Sequence, residues 1–204
     1  YDALTADAEH LRRARYLERL FRKSAIPVET VLDLACGTGT IACLLAERGY
    51  RVLAADGSEE MLTQAAKKAD PLGERAPLFL HQSMPRLRLG REVDAAISTL
   101  DSLNYLTRTA DLDETEDSFC VWRTFFSERT KICTYQVDLF QADGQGAWDR
   151  AFEEHRERAW DREELEEYLH EAGFDAVTVT GDLTSRPPRP DEDRWIFRCR
   201  KPRG

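Results

Sequence analysis

With 204 residues, 42% of them hydrophobic and 33% charged, the chain is long enough to bury one sizeable core and too apolar to be disordered. A net charge of -9 and a pI near 5.1 argue against bulk nucleic-acid binding, because an acidic surface repels phosphate backbones. No apolar run approaches the roughly 20 residues that a bilayer span needs, so no membrane partner is expected.

Residues 7–24 read as a helix, with Leu17, Leu20 and Phe21 at helical spacing and Pro27 as the stop. TVLDLA (30–35) is short, apolar and β-branched, so a buried strand is expected. Residues 38–49 then read as a helix with an Ile41, Leu44, Leu45 stripe and Gly49 as terminator. YRVLAAD (50–56) is a second strand. Ser58 can cap a helix to about Ala69, although Met61 stands where a capping box wants an acid. PLFLHQS (77–83) and VDAAISTL (93–100) supply a third and fourth strand. Alternating strands and helices imply right-handed crossovers and a parallel sheet.

Beyond residue 118 the pattern changes. FCVWRTFF (119–126), KICTYQVDLFQ (131–141) and WDRAFEEHRERA (148–159) are extended runs separated by turn-like SER and ADGQG, which predicts an antiparallel meander. DREELEEYLHEAGF (161–174) is a helix with Asp161 as N-cap and Gly173 as stop. AVTVTGDL (176–183) and RWIFRCRK (194–201) close the chain as strands around a stiff SRPPRP loop. Between 107 and 118 the chain reads TRTADLDETEDS, too short and polar for both a crossover helix and a fifth strand. Either the fold is cut down here or residues are missing near 115–116. The chain also opens on Tyr1 rather than Met, so preceding residues are expected. Five cysteines without a Cys-x-x-Cys pair suggest reduced, mostly buried thiols in a cytoplasmic protein, with no metal site.

The segment Gly37-Thr-Gly-Thr-Ile-Ala42 fits G-x-G-x-x-G/A after a strand and before a helix. Asp56 ends the second strand, 17 positions after Gly39, where a carboxylate can take both hydroxyls of a ribose or, alternatively, cap a helix. A dinucleotide and S-adenosyl-L-methionine both suit such a loop. Asp33, inside an apolar strand and four residues before Gly37, favours the second. A buried carboxylate needs a partner, and an ammonium or sulfonium complements it while a pyrophosphate does not. A purely structural Asp33, bonded to loop amides, is the alternative.

VLDLACGTGT, VLAADGSEEML and DAAISTLDSLNYL together resemble the successive motifs of class I S-adenosylmethionine-dependent methyltransferases, nearest to bacterial small-molecule members with a β-rich insertion. The resemblance spans about residues 28–106 and is looser over the last helix and strands. It implies an α/β fold, a doubly wound Rossmann-like and mostly parallel sheet with an antiparallel β-meander insertion. The implied organisation is a cofactor-binding core (1–115), a β insertion or lid (116–160) and a C-terminal helix and strands completing the core (161–204). By resemblance Asp33, Ala35, Gly37 and Gly39 hold the methionine end. Asp56 takes the ribose, and Gly57, Ser58 and Met61 lie beside the adenosine. Ser83 stands where relatives carry an acid for the adenine amine, with Met84 after it to pack on the ring.

In an open α/β sheet the crevice lies at the carboxyl ends of the strands, so Leu100, Asp101, Ser102, Asn104 and Tyr105 should rim it. Asp101 is the first candidate to meet the acceptor; helix capping is its ordinary alternative. His155 shares a strand face with Glu153 and Glu157 and is the candidate general base, against a surface ion-pair ladder. The expected partner is a small-molecule methyl acceptor, and a homodimer is compatible with the sequence. An NAD-dependent oxidoreductase and a non-catalytic S-adenosylmethionine-binding protein are the competing readings.

Overall fold

The computed structural model describes residues 7–84, 87–99, 112–114, 118–145, 147–192 and 194–202. They fall into two compact units, 1–102 and 103–204.

In the first unit, α1 (Asp7–Arg22) leads to β1 (Thr30–Leu34), α2 (Thr40–Glu47), β2 (Arg51–Asp56), α3 (Glu59–Ala69), a 3-10 segment (Asp70–Arg75), β3 (Leu78–His81) and β4 (Ala95–Ser98). The strands form one parallel sheet in the order β3-β2-β1-β4. The chain winds outward from β1 to β3 and then crosses to the other side, which puts a topological switch point between β1 and β4.

β1 and β2 are apolar because both their faces are covered. On one face Val31, Val52, Ala54 and Ile97 pack with Ile41, Ala42 and Leu45 of α2 and Leu17 of α1. Val31 and Leu45 are fully buried, worth roughly 1.5–3 kcal/mol each. On the other face Leu32, Leu53 and Ala55 meet Leu34, Leu80, Leu87, Leu89 and Val93. That second cover is largely a loop rather than a helix. The 13 residues between β3 and β4 carry Pro85 and Gly90, which break a helix. In α1 the buried stripe is His10, Arg13, Ala14, Tyr16 and Leu17, so it takes in two polar residues the spacing did not single out. Asp94 accepts from the amides of Glu29 (3.0 Å) and Thr30 (2.8 Å) and fixes the entry to β1.

The second unit holds an antiparallel sheet of β5 (Leu112–Glu114), β6 (Ser118–Ser127), β7 (Ile132–Ala142) and β8 (Trp148–Arg158) in that order. It has one strand more than the sequence led us to expect. Leu112–Glu114, within the polar stretch where a fifth parallel strand was sought, pairs instead with Phe119–Val121. Asp138 on β7 is 1% exposed. It accepts from Arg123 of β6 (2.6 Å) and from Arg150 of β8 (2.7 Å from Nε). Those bonds, Arg150's foremost, and the two positive charges hold its carboxyl below the usual range, and they tie three strands through one residue.

α4 (Arg162–Glu171) is followed by β9 (Asp175–Gly181) and β10 (Trp195–Arg200), which pair antiparallel as a sheet of their own. Asp161 occupies the N-cap position, but its side chain makes no capping bond; the carboxylate faces Lys131 at 3.5 Å instead. The SRPPRP loop is stiffened by Glu192, which takes both Nη atoms of Arg186 and the Arg189 amide, all at 2.9 Å. Cys36, Cys43, Cys133 and Cys199 are free thiols, with Cys43 and Cys133 buried.

Candidate cofactor site

Register aligns the carboxyl ends of the parallel strands: Leu34 lies beside Ala55 and Ser98, and Asp56 beside His81. At this edge the backbone leaves β1 through three left-handed residues, Ala35 (φ 53°), Gly37 (φ 55°) and Gly39 (φ 71°). Ala35 bears a strain of about 1–2 kcal/mol there, which a glycine would not. Gly39 is the N-cap of α2 and has no side chain to cap it. That leaves the amides of the first turn to a ligand.

Gly39 is also required by packing. A Cβ there would lie 2.9 Å from Ala65 Cβ and 3.1 Å from Phe79 Cε1. Gly39→Ala is expected to lower the urea midpoint by an amount worth about 1–3 kcal/mol and to weaken cofactor binding as the loop shifts. Unfolding and ligand titration of the variant read both effects.

Asp56 joins two loops. Its Oδ2 accepts from the Gly37 amide at 2.8 Å, and its Oδ1 from the Ser58 amide at 2.9 Å. Each oxygen retains capacity for one more donor. Ser58 caps α3 as expected, accepting from the Met61 amide at 3.3 Å. Its hydroxyl donates to Glu60 at 3.0 Å, while the Ser58 amide is taken by Asp56 and not by an acid of the first turn, so the cap stays partial. His81 Nε2 lies 3.0 Å from the Gly57 carbonyl and ties the end of β3 to this turn. Ser83 stands beside Gly57, and Ser83 and Met84 are both exposed at the same edge.

Asp33 sits in mid-sheet between Ala54 and Ile97, 1% exposed. Its Oδ1 has no hydrogen-bond partner among the described residues. Burial first, and the nearby Asp56 second, push its pKa up to about 7. A buried carboxylate with an orphan oxygen, held near a second carboxylate, is an arrangement that a cationic ligand completes. The structural alternative, loop amides bonded to Asp33, is not what satisfies Oδ1. This set of residues fits S-adenosyl-L-methionine.

Lys68 is not singled out by its sequence context. From α3 its Nζ reaches Thr38 Oγ1 at 3.2 Å and Thr40 Oγ1 at 2.5 Å, either side of Gly39. Leu100, Asp101, Ser102, Asn104 and Tyr105 lie outside the described residues. His155 belongs to the second unit, on β8 opposite Tyr135, with its side chain 53% exposed and Nε2 3.0 Å from Glu153. No cluster of metal-ligating side chains occurs among the described residues. A shallow hollow bounded by Phe21, Ile26, Pro27, Val28 and Tyr50 lies at the amino ends of β1 and β2, away from this edge.

A parallel sheet with a glycine loop, a carboxylate that ends β2 and a buried carboxylate in β1 is an α/β frame suited to a nucleotide-like cofactor. Comparison carries this further. Residues 31–117 match the family model described as Methyltransferase domain. YqeM of Bacillus subtilis (strain 168), a methyltransferase by name, is 30% identical over 240 residues, covering 98% of this chain and 94% of that one. A dTDP-3-amino-3,4,6-trideoxy-alpha-D-glucopyranose N,N-dimethyltransferase of Streptomyces venezuelae is 31% identical over 112 residues, covering 54% of this chain and 45% of its own. The crystal structure of an S-adenosylmethionine-dependent methyltransferase from Clostridium acetobutylicum ATCC 824 superposes with a TM-score of 0.85 at 20% identity, covering 98% of this chain and 94% of that one.

The chain belongs to the methyltransferase family, and its fold is that of the solved S-adenosylmethionine-dependent methyltransferase. The YqeM alignment runs over 240 residues while this chain has 204, so the relative carries residues that this chain lacks.

Proposed function

We propose that this methyltransferase acts on a small-molecule acceptor, with the cofactor seated at the carboxyl ends of β1, β2 and β3. The observation that carries the reading is the Gly37–Asp56–Ser58 linkage, which holds the glycine loop and the ribose-type acid together ahead of any ligand. Bound there, the sulfonium supplies an activated methyl group for in-line displacement. Asp56 accepts from the ribose hydroxyls while its amide bonds keep it oriented. Asp33 offers its charge to the cationic methionine end, and Ala35, Gly37 and Gly39 let the backbone come close. Gly57, Ser58, Met61, Ser83 and Met84 flank the adenosine, with a backbone amide in place of the absent acid at Ser83.

The protein's remaining work is to align the acceptor and exclude water. Asp101 is proposed to orient it, and His155 is retained as a candidate base for an acceptor that must lose a proton. The acidic balance of the chain argues against nucleic acid as acceptor. The name of the Streptomyces venezuelae relative gives an amino sugar as its substrate, which favours an amine on a small polar molecule.

Incubation with methyl-labelled S-adenosylmethionine and a panel of amino sugars and small amines is expected to place label in the low-mass fraction. Label appearing only on RNA or protein would overturn the small-molecule reading. In the same assay His155→Ala should slow turnover about 100-fold if the imidazole is the base, and unchanged turnover removes that role.

A further inference from the structure

We propose that Lys68 is a positioning residue for the cofactor, acting through Thr38 and Thr40 to fix the glycine loop in its receiving conformation. This rests on the reading that the loop seats S-adenosylmethionine.

Lys68 sits near the end of α3, 28 residues from Thr40, and its ammonium reaches both threonine hydroxyls. Those hydroxyls are 3.5 Å apart and bracket Gly39, the residue at which the loop becomes helix α2. Three residues earlier, the same face of α3 sets Ala65 against Gly39, so the helix touches the loop at an apolar point and a charged one. Two residues before Gly39, the Gly37 amide is held by the Asp56 carboxylate. The turn is thus held by an anion at the end of β2 and by a cation on α3.

Lys68 lies in the last turn of α3, where that helix's macrodipole favours a cation, but this does not account for its ammonium reaching the start of α2. A cation at the first turn of α2 opposes the macrodipole. What the position offers is control of the two hydroxyls. Threonine side chains near a helix start readily bond local backbone amides. Such bonds would occupy the amides that the uncapped Gly39 leaves for a ligand. An ammonium has donors only, so Lys68 engages the acceptor side of the Thr38 and Thr40 hydroxyls and competes with the loop amides for them. Binding then meets a loop already in place, and a smaller ordering cost.

The test uses the whole chain and S-adenosylhomocysteine as probe, with calorimetric affinity and urea midpoint measured for Lys68→Met, Lys68→Arg, Thr40→Val and the Lys68→Met/Thr40→Val double variant. Lys68→Met should weaken binding about tenfold, as loss of hydrogen bonds from a charged group implies. Lys68→Arg should restore most of that affinity. The double variant should bind no more weakly than Lys68→Met alone, because the lysine acts through the threonine. Wild-type affinity in Lys68→Met, or fully additive losses in the double variant, would overturn the proposal. Should Lys68→Met fail to fold, unchanged affinity in Thr40→Val would do the same. Absence of binding by the wild type would instead remove the cofactor seat itself.

Discussion

Asp56→Ala is expected to weaken S-adenosylhomocysteine binding by about 100- to 1,000-fold. The variant loses two things at once. A carboxylate that receives ribose hydroxyls disappears, and hydrogen bonds to a charged group are worth about 1.5–3 kcal/mol each. The Gly37 and Ser58 amides also lose the acceptor that joins their loops, at 2.8 and 2.9 Å. Asp56→Asn separates the two effects: its single carbonyl oxygen can keep one of the amides but not both, so an intermediate loss is expected. Calorimetry on the three proteins makes the comparison, and equal affinity in Asp56→Ala would mean that Asp56 is not the ribose acid.

Asp33→Asn is expected to make the cofactor-free protein more stable than wild type at pH 8 and little different near pH 4. With a pKa of about 7 when folded and near 3.8 in the open chain, Asp33 binds more protons folded than unfolded between those values. Stability therefore falls as pH rises from about 4 to 7, and levels off above. The shift corresponds to roughly 4 kcal/mol for this group alone. Asparagine has the same shape and no such slope. The same variant should bind the cofactor more weakly, because the charge that complements a cation is gone. In the wild type, affinity for the cationic cofactor should rise as pH passes through about 7. Urea midpoints between pH 4.5 and 8.5 test the first part, and parallel wild-type and variant profiles would contradict it.

Much of the first unit was legible because its signals are local. The apolar run before Gly37, the loop itself and the acid that ends β2 sit within 26 residues, and each follows from strand burial or turn sterics. The meander was legible from alternation, although β5 was hidden in a polar stretch where three residues pair with β6 without any hydrophobic pattern. The missed features depend on contacts distant in sequence. Lys68 stands in an ordinary AAKKAD helix end and looks like a solvated charge until α3 is laid beside the loop. Asp138 requires the register of three strands before its two arginines come together. Asp161 shows the reverse: a residue of the right type at the right position can still spend its charge on a neighbour, here Lys131.

That the segment from Val31 to Thr40 seats S-adenosylmethionine is tested most directly by titrating the wild-type protein with S-adenosylhomocysteine and, separately, with NAD in a calorimeter. Saturable heat with S-adenosylhomocysteine and none with NAD is the expected result. Heat with NAD alone would contradict it.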